Sequence, residues 1–403
     1  MCAGSVCFQR ICRSFKGKTG GRKNEVRTGR RSQRRMIMND RIEKVLANMK
    51  KEGISQLIVS DPSSLWYLTG IGFDPYERLL ALLIRDNARP VFFLNNLFNV
   101  HGTPFEEVWF SDTDDYIGMM AKYIRPGRLG IDKTWAARFL IPLMERCPYA
   151  KPVIGSGCVD DCRAVKDESE IAKMIEASRI NDIVNERASR FVSEGMTERQ
   201  VADFIEKAFV EEGAEGPSFT TIVSFGKNAA DPHHEPDDTV LKRGECVLYD
   251  MGCIKDHYCS DMTRTFLCGN PDDPSDADKI DPDFVKVYNL VREANEKAES
   301  MIRPGVRFCD IDAAARDLIT SAGYGPQFNH RLGHFIGQSE HEQGDVSAVN
   351  TSTAKPGMIF SIEPGVYIEG RFGVRIEDLV LVTETGHRVL NHVDKNLKVV
   401  GTR

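Results

Sequence analysis

The sequence has no apolar stretch long enough to span a bilayer. A membrane helix needs roughly 18 or more apolar residues in succession, and the best candidate, LLALLIRDNARPVFFL, is broken by Arg85, Asp86, Arg89 and Pro90. It shows no apolar secretory segment, and its eleven cysteines are odd in number, which argues against a disulfide framework and for reduced, mostly buried thiols. Cys158 and Cys162 lack a second pair or a nearby histidine, so they make a poor zinc site. A basic body is missing too. Residues 1–35 hold eleven Lys or Arg against the single acid Glu25, which leaves the rest of the chain near −16 and argues against nucleic-acid binding. The composition therefore predicts a cytoplasmic protein with no nucleic-acid or membrane partner.

What is present divides into three parts. Residues 1–37 form a basic leader, Arg-rich like a targeting peptide but without a clean apolar face, and are read as a disordered tail or an upstream start. A chain of 403 residues exceeds one core, so two domains are expected after it. Residues 38–158 alternate helical and strand patterns: Ile42, Val45, Leu46 and Met49 share a helical face, SQLIVS, RLLALLIRD and RPVFFL read as strands, and RLGID lies between two helices. That is an α/β domain. Residues 159–403 form the second domain, opening with a helix from Glu168 and another capped by Thr197 that buries Val201, Phe204, Ile205, Ala208 and Phe209.

The second domain holds the unusual chemistry. In LYDMGCIKDHYCSDMTRTF a turn at Lys255 and Asp256 would set Asp250 directly opposite Asp261. Like charges so placed destabilise a strand pair unless a proton is shared or a cation lies between them. The segment MIFSIEPGVYIEGRFGVRIEDLVLV repeats the arrangement with Glu363 and Glu377 about an apex at Gly370, and NHRLGHFIGQSEHEQ offers His330, His334 and His341. Gly333 and Gly337 beside His334 would let backbone approach closely. Four carboxylates with one imidazole form an oxygen-rich set suited to Mn²⁺, Co²⁺ or Fe²⁺, and four negative charges match two dications. Two such ions can share a bridging water, lower its pKa and stabilise the tetrahedral intermediate of amide hydrolysis.

On these motifs the chain resembles the prolidase-like dinuclear metallopeptidases, the group of prolidase, aminopeptidase P and methionine aminopeptidase, from about residue 38 to the end. The resemblance implies a creatinase-like N-terminal domain and a pita-bread α+β catalytic domain. It implies metal ligands Asp250, Asp261, His334, Glu363 and Glu377, with Asp261 and Glu377 bridging two ions, most often Mn²⁺, with Co²⁺, Zn²⁺ or Fe²⁺ as alternatives. Glu363 would also serve as general base. His233, in the PHHEP stretch, would contact substrate, although the adjacent His234 leaves the choice between the two open. His341 would stabilise the tetrahedral intermediate, His330 would be a further active-site histidine, and Arg375 would support the charge balance. Tyr367 and Arg371 are left undivided between substrate contact and packing. The implied activity is hydrolysis of the bond before proline in an Xaa-Pro dipeptide by a homodimer. The alternatives are aminopeptidase P action on longer peptides, a creatinase-like hydrolase, and a catalytically silent binding module.

Overall fold

In the computed structural model, residues 40–100, 102–270 and 272–401 are described; the expected leader lies outside them. A helix over residues 40–52 buries Ile42, Val45 and Met49. It delivers the chain to the strand Gln56–Val59, whose side chains are all buried. That strand sits inside a six-stranded sheet ordered Glu106–Phe110, Ala88–Asn95, Ala81–Arg85, Gln56–Val59, Gly127–Ile131, Ala150–Ile154. Apolar clusters cover both faces, which is why the central strands read as continuous apolar runs rather than alternating ones. Helices Tyr116–Ala121 and Ala137–Arg146 flank Gly127–Ile131 in sequence, as the pattern around RLGID predicts.

Helix Gly157–Ala164 packs Cys158, Val159 and Cys162 into that same core. The Cys162 thiol donates to the Cys158 carbonyl at 3.4 Å, and burial pushes both thiols up to about 11. They are packing groups. Every described cysteine is a free thiol.

The helix Glu168–Phe191 starts at a capping box made by Asp167 and Glu170, and Glu198–Glu211 starts at one made by Thr197 and Gln200. Each satisfies two otherwise orphaned N-terminal amides. Together these helices cover a four-stranded sheet ordered Val399–Val400, Met262–Cys268, Cys246–Met251, Ile222–Phe225. A second pair, Phe284–Ser300 and Phe308–Ser321, packs on residues of both this sheet and a five-stranded one. The latter runs Glu342–Val346, Gly333–Phe335, Ile359–Ile362, Asp378–Val382, His387–Val389. The result is the α+β architecture expected, with the two sheets meeting between helix pairs. Among the described residues no helix is long and apolar enough to cross a membrane.

The two halves meet through buried charge. Glu342 accepts from Arg163 at 2.7 Å and lies 3.2 Å from Lys166, while Arg163 also reaches Asp61 at 3.2 Å and Ser64 at 2.9 Å. Because Glu342 follows His341 in the chain, this cluster ties one edge of the catalytic domain to the N-terminal one.

Candidate metal centre

The first acidic hairpin has a different register from the one predicted. Lys255 pairs with Tyr258 and Asp250 with Thr263, so the turn residues are Asp256 and His257, both at positive φ (49° and 67°). Asp261 is therefore diagonal to Asp250 rather than opposite. A two-residue shift preserves the face, since side chains alternate with a period of two, and both carboxylates line one cavity.

The second hairpin keeps its predicted register. Gly365 pairs with Arg375 and Ile362 with Asp378, about an apex at Gly370, whose φ is 73°. Glu363 and Glu377 fall in the gap between these two ladders. The Glu363 amide donates instead to the Leu332 carbonyl at 2.8 Å, and the Glu377 amide to the Thr263 carbonyl at 3.1 Å. These bonds draw the two glutamates towards the histidine strand and the aspartate strand. Close approach also needs Gly333, where a Cβ would lie 1.9 Å from the Ser361 carbonyl oxygen.

Around the resulting cavity, of about 220 Å³, stand Asp250, Asp261, His334, Glu363 and Glu377, with His233, His330, His341 and Arg375. His334 is buried, and its Nε2 lies 3.5 Å from Asp261, 3.5 Å from Glu363 and 4.0 Å from Glu377. Its Nδ1 faces the Phe335 carbonyl at 3.3 Å, so Nδ1 carries the proton and Nε2 turns a lone pair towards the carboxylates. Burial and the neighbouring His341 push this imidazole down to about 3. It is neutral, the form that ligates metals.

The carboxylates are only partly compensated. Asp250 Oδ1, Asp261 Oδ1 and Glu377 Oε1 are buried with no hydrogen-bond partner among the described residues. Burial, then Glu377 and Asp250, holds Asp261 well above the usual carboxylate range; burial, then Glu363 and Asp250, does the same to Glu377. Burial also pushes Glu363 up to about 7. Lone pairs and anionic oxygens facing one another across a small cage call for a cation. Asp261, His334 and Glu377 can each bring a ligand atom within 4.8 Å of the others. The donor set suits hard or borderline divalent ions, so the residues fit the metals that the motifs imply.

The remaining expected residues have distinct places. Arg375, 3% exposed, donates to Asp250 Oδ2 at 2.7 Å, Thr263 Oγ1 at 2.9 Å and the Tyr367 hydroxyl at 2.8 Å. Tyr367 in turn lies 3.0 Å from His330 Nε2, and His330 Nδ1 lies 2.7 Å from the Arg331 carbonyl. Nδ1 must donate there, so Tyr367 donates to His330 and accepts from Arg375. Burial and Arg375 lower His330 to about 4, which keeps it neutral. His341 stacks edge-on against His334 with ring centroids 4.2 Å apart, and is half exposed at the rim.

The adjacent histidines of PHHEP separate cleanly. His233 lines the cavity, whereas the His234 ring turns away to the buried Glu198 carboxylate at 2.7 Å. Glu198 also accepts from the Phe225 and Asp237 amides and from Asn228. This second acid and histidine group is satisfied internally and acts as a clamp under the loop.

Thr263 and Ser361 were missed in the sequence. Thr263 Oγ1 donates to Glu377 at 2.7 Å, and Ser361 Oγ donates to Glu363 at 3.1 Å. The available signal was spacing: each sits two residues from a strand carboxylate, on the same face. Tyr367 belongs to the site through His330 and Arg375. Arg371 does not, since it pairs with Asp281 and, at 2.8 Å, with Asp283.

Comparison with known proteins shows the family. Residues 172–384 match the family model described as metallopeptidase family M24, and residues 41–165 match the creatinase/prolidase N-terminal domain. An uncharacterised peptidase of Staphylococcus saprophyticus is 38% identical over 364 residues, 88% of this chain and 100% of its own length. Among solved structures, dipeptidase PepE of Mycobacterium ulcerans is 32% identical with a TM-score of 0.84, covering 91% of this chain and 98% of that one. A prolidase of Thermococcus sibiricus is 32% identical with a TM-score of 0.81, covering 89% and 98%.

Proposed function

The chain belongs to metallopeptidase family M24 and is a metallo-exopeptidase, and we propose that it is an Xaa-Pro dipeptidase using two divalent ions, most often Mn²⁺. One observation carries the reading: four carboxylates and a neutral imidazole converge on a small cavity, with three carboxylate oxygens left unpartnered. The cavity, about 220 Å³, is smaller than the roughly 300–1,000 Å³ of ordinary ligand sites, which favours a dipeptide over a longer chain. Likeness to a dipeptidase and a prolidase supports the same substrate class.

Asp250, Asp261, His334, Glu363 and Glu377 would hold the ions, with Asp261 and Glu377 shared between them. When bound, the pair supplies Lewis acidity for attack of water on the amide. Glu363 takes the proton of the attacking water and passes it to the departing proline nitrogen. His341, neutral and at the rim, donates to the oxyanion that develops on the substrate carbonyl. Arg375 fixes one oxygen of Asp250, leaving the other free for an ion, and Tyr367 with His330 holds Arg375 in place. His233 contacts the substrate from the loop that His234 and Glu198 clamp. A homodimer in the cytoplasm completes the proposal.

The test is hydrolysis of an Xaa-Pro dipeptide, a longer Xaa-Pro peptide and creatine after Mn²⁺ or Co²⁺ reconstitution. Metal-dependent turnover greatest on the dipeptide is expected. No turnover of either proline substrate would end this reading, and preference for the longer one would favour aminopeptidase P. Asp261→Ala should bind fewer than two metals; two retained at wild-type affinity would contradict the shared-ligand role.

A further inference from the structure

Beside the carboxylate cage lies a group of four charges, Arg264, Asp378, Lys395 and Glu299, none of which lines the cavity. Arg264 is 1% exposed and uses all five of its N–H donors. Nη1 donates to the Thr263 carbonyl at 3.0 Å and the Glu377 carbonyl at 2.7 Å, Nη2 to Asp378 Oδ1 at 2.7 Å and the Val393 carbonyl at 2.9 Å, and Nε to the Val393 carbonyl at 3.2 Å. Asp378 Oδ2 lies 2.6 Å from Lys395 Nζ, which also contacts the two oxygens of Glu299 at 2.7 and 2.8 Å and Asn295 Oδ1 at 2.6 Å. Asn295 and Glu299 stand one turn apart on the helix Phe284–Ser300, so they share a face. With its oxygen held by Lys395, the buried Asn295 donates through its amide nitrogen to the carbonyls of Ile362 at 2.9 Å and Ile376 at 3.3 Å. These two residues directly precede Glu363 and Glu377.

We propose that this group is a rear mount for the metal centre, in which Arg264 and Asn295 are positioning residues that set the spacing of Asp261, Glu363 and Glu377. The inference rests on the two-ion reading of the cage and goes beyond it in naming what fixes the spacing.

Connectivity and charge both support it. Arg264 follows Asp261 by three residues and grips the backbone carbonyl of Glu377, so one planar guanidinium joins the segments that carry the two shared ligands. Asn295 does the same for the segments that carry Glu363 and Glu377. The three carbonyls that they hold, of Ile362, Ile376 and Glu377, lie where the two glutamates fall between ladders, so side chains do there what strand pairing does elsewhere. Ligands shared between two ions must keep one spacing to serve both. The charges balance, two cations against two anions, and the donors of Arg264 and Asn295 are all used. Apolar side chains could fill such a volume without the cost of desolvating four charges. A fully bonded polar group beside the cage therefore fits a role in holding geometry. Val393 and Lys395 make the segment after the strand His387–Val389 a part of the mount.

The experiment compares wild type, Arg264→Lys, Asn295→Asp and Lys395→Met as full chains. It combines calorimetric Mn²⁺ titration, the visible absorption of the Co²⁺-loaded protein, denaturant unfolding of the metal-free protein, and steady-state kinetics on Ala-Pro. Asn295→Asp keeps the size of the side chain and an oxygen for Lys395, but loses both N–H donors. Each variant should bind Mn²⁺ about 10- to 100-fold more weakly. The Co²⁺ spectrum should change with the ligand geometry, and kcat should fall by a larger factor than KM rises. Wild-type affinity and spectrum in Asn295→Asp overturn the inference. So does a lower unfolding midpoint in any variant whose affinity and spectrum are unchanged, which marks a structural role alone. Lys395→Met, at a side chain 16% exposed, decides by the same affinity and spectrum should the other two fail to fold. Wild type that binds a single ion ends the two-ion reading, and the affinity of that ion in Arg264→Lys and Asn295→Asp then decides whether the mount positions the glutamates. Binding of no ion by wild type ends both.

Discussion

Replacing Thr263 with valine isolates one hydroxyl that the carboxylate cage depends on. Thr263 is fully buried in a strand, where valine is equally at home. Its Oγ1 donates to Glu377 Oε2 at 2.7 Å and accepts from Arg375 Nε at 2.9 Å. Valine leaves a buried carboxylate oxygen and a buried guanidinium N–H unpaired, each costing about 1–3 kcal/mol. The metal-free protein should therefore lose about 2–6 kcal/mol. Glu377 also loses the bond that orients it, which should weaken metal binding about 10- to 100-fold, the usual cost of removing a group that positions a ligand. Arg375 stays anchored through Asp250 and Tyr367, so Asp250 should keep its place. Denaturant unfolding of the chelated protein measures the first effect, and calorimetric Mn²⁺ titration the second. Thr263→Ser restores the hydroxyl and should recover both to within about 1 kcal/mol, since it removes only a methyl group. Wild-type metal affinity in Thr263→Val would refute the reasoning, because Glu377 would then be oriented without that bond.

Other residues predict separable effects. Burial alone would raise Glu342, but Lys166 and Arg163 hold it down at about 2, below its ordinary 4.5. A carboxylate depressed in the folded state stabilises at neutral pH, and that stability is lost as pH falls from about 4.5 to about 2. The difference is on the order of 3 kcal/mol, so unfolding midpoints followed against pH should fall across that window in wild type and much less in Glu342→Gln. At pH 7 the same substitution leaves Arg163 and Lys166 without their buried anion and should destabilise by about 3–5 kcal/mol in denaturant titration. His234→Ala should cost about 1–3 kcal/mol by removing the imidazole from the buried Glu198 carboxylate, which keeps only the Phe225 and Asp237 amides and Asn228. It should also raise KM more than it lowers kcat, because it frees the His233 loop without touching the carboxylate cage; steady-state kinetics on the dipeptide would separate the two.

The features legible in the sequence were those set locally. The helix start at Glu168, the Thr197 cap, the helical stripe of Ile42, Val45 and Met49, and the doubly buried apolar strands follow from neighbouring residues alone. The Glu363 and Glu377 hairpin was legible for the same reason, since a glycine at its apex adopts φ 73° without strain and so marks the register. PHHEP was half legible. Its chemistry stood out, but only the long-range partner of His234, a glutamate 36 residues earlier, shows which ring faces the cavity.

The aspartate hairpin shows why the rest was not. No Asn-Gly pair marked its turn, and the two residues that make it, Asp256 and His257, are not glycines although both sit at positive φ. A left-handed histidine is uncommon and needs support from its surroundings. Here the ring of Trp66, from the other domain, packs on His257 with centroids 4.6 Å apart, a contact that no local pattern encodes. The turn of one domain is thus packed by an aromatic residue of the other. The cage is assembled in the same non-local way, since Glu363 and Glu377 leave their own ladder to bond Leu332 and Thr263. Five ligands scattered over three segments could be listed from their chemistry. What brings them together is the set of backbone bonds where the ladders break, so the interruptions in strand pairing, rather than the strands, build the centre.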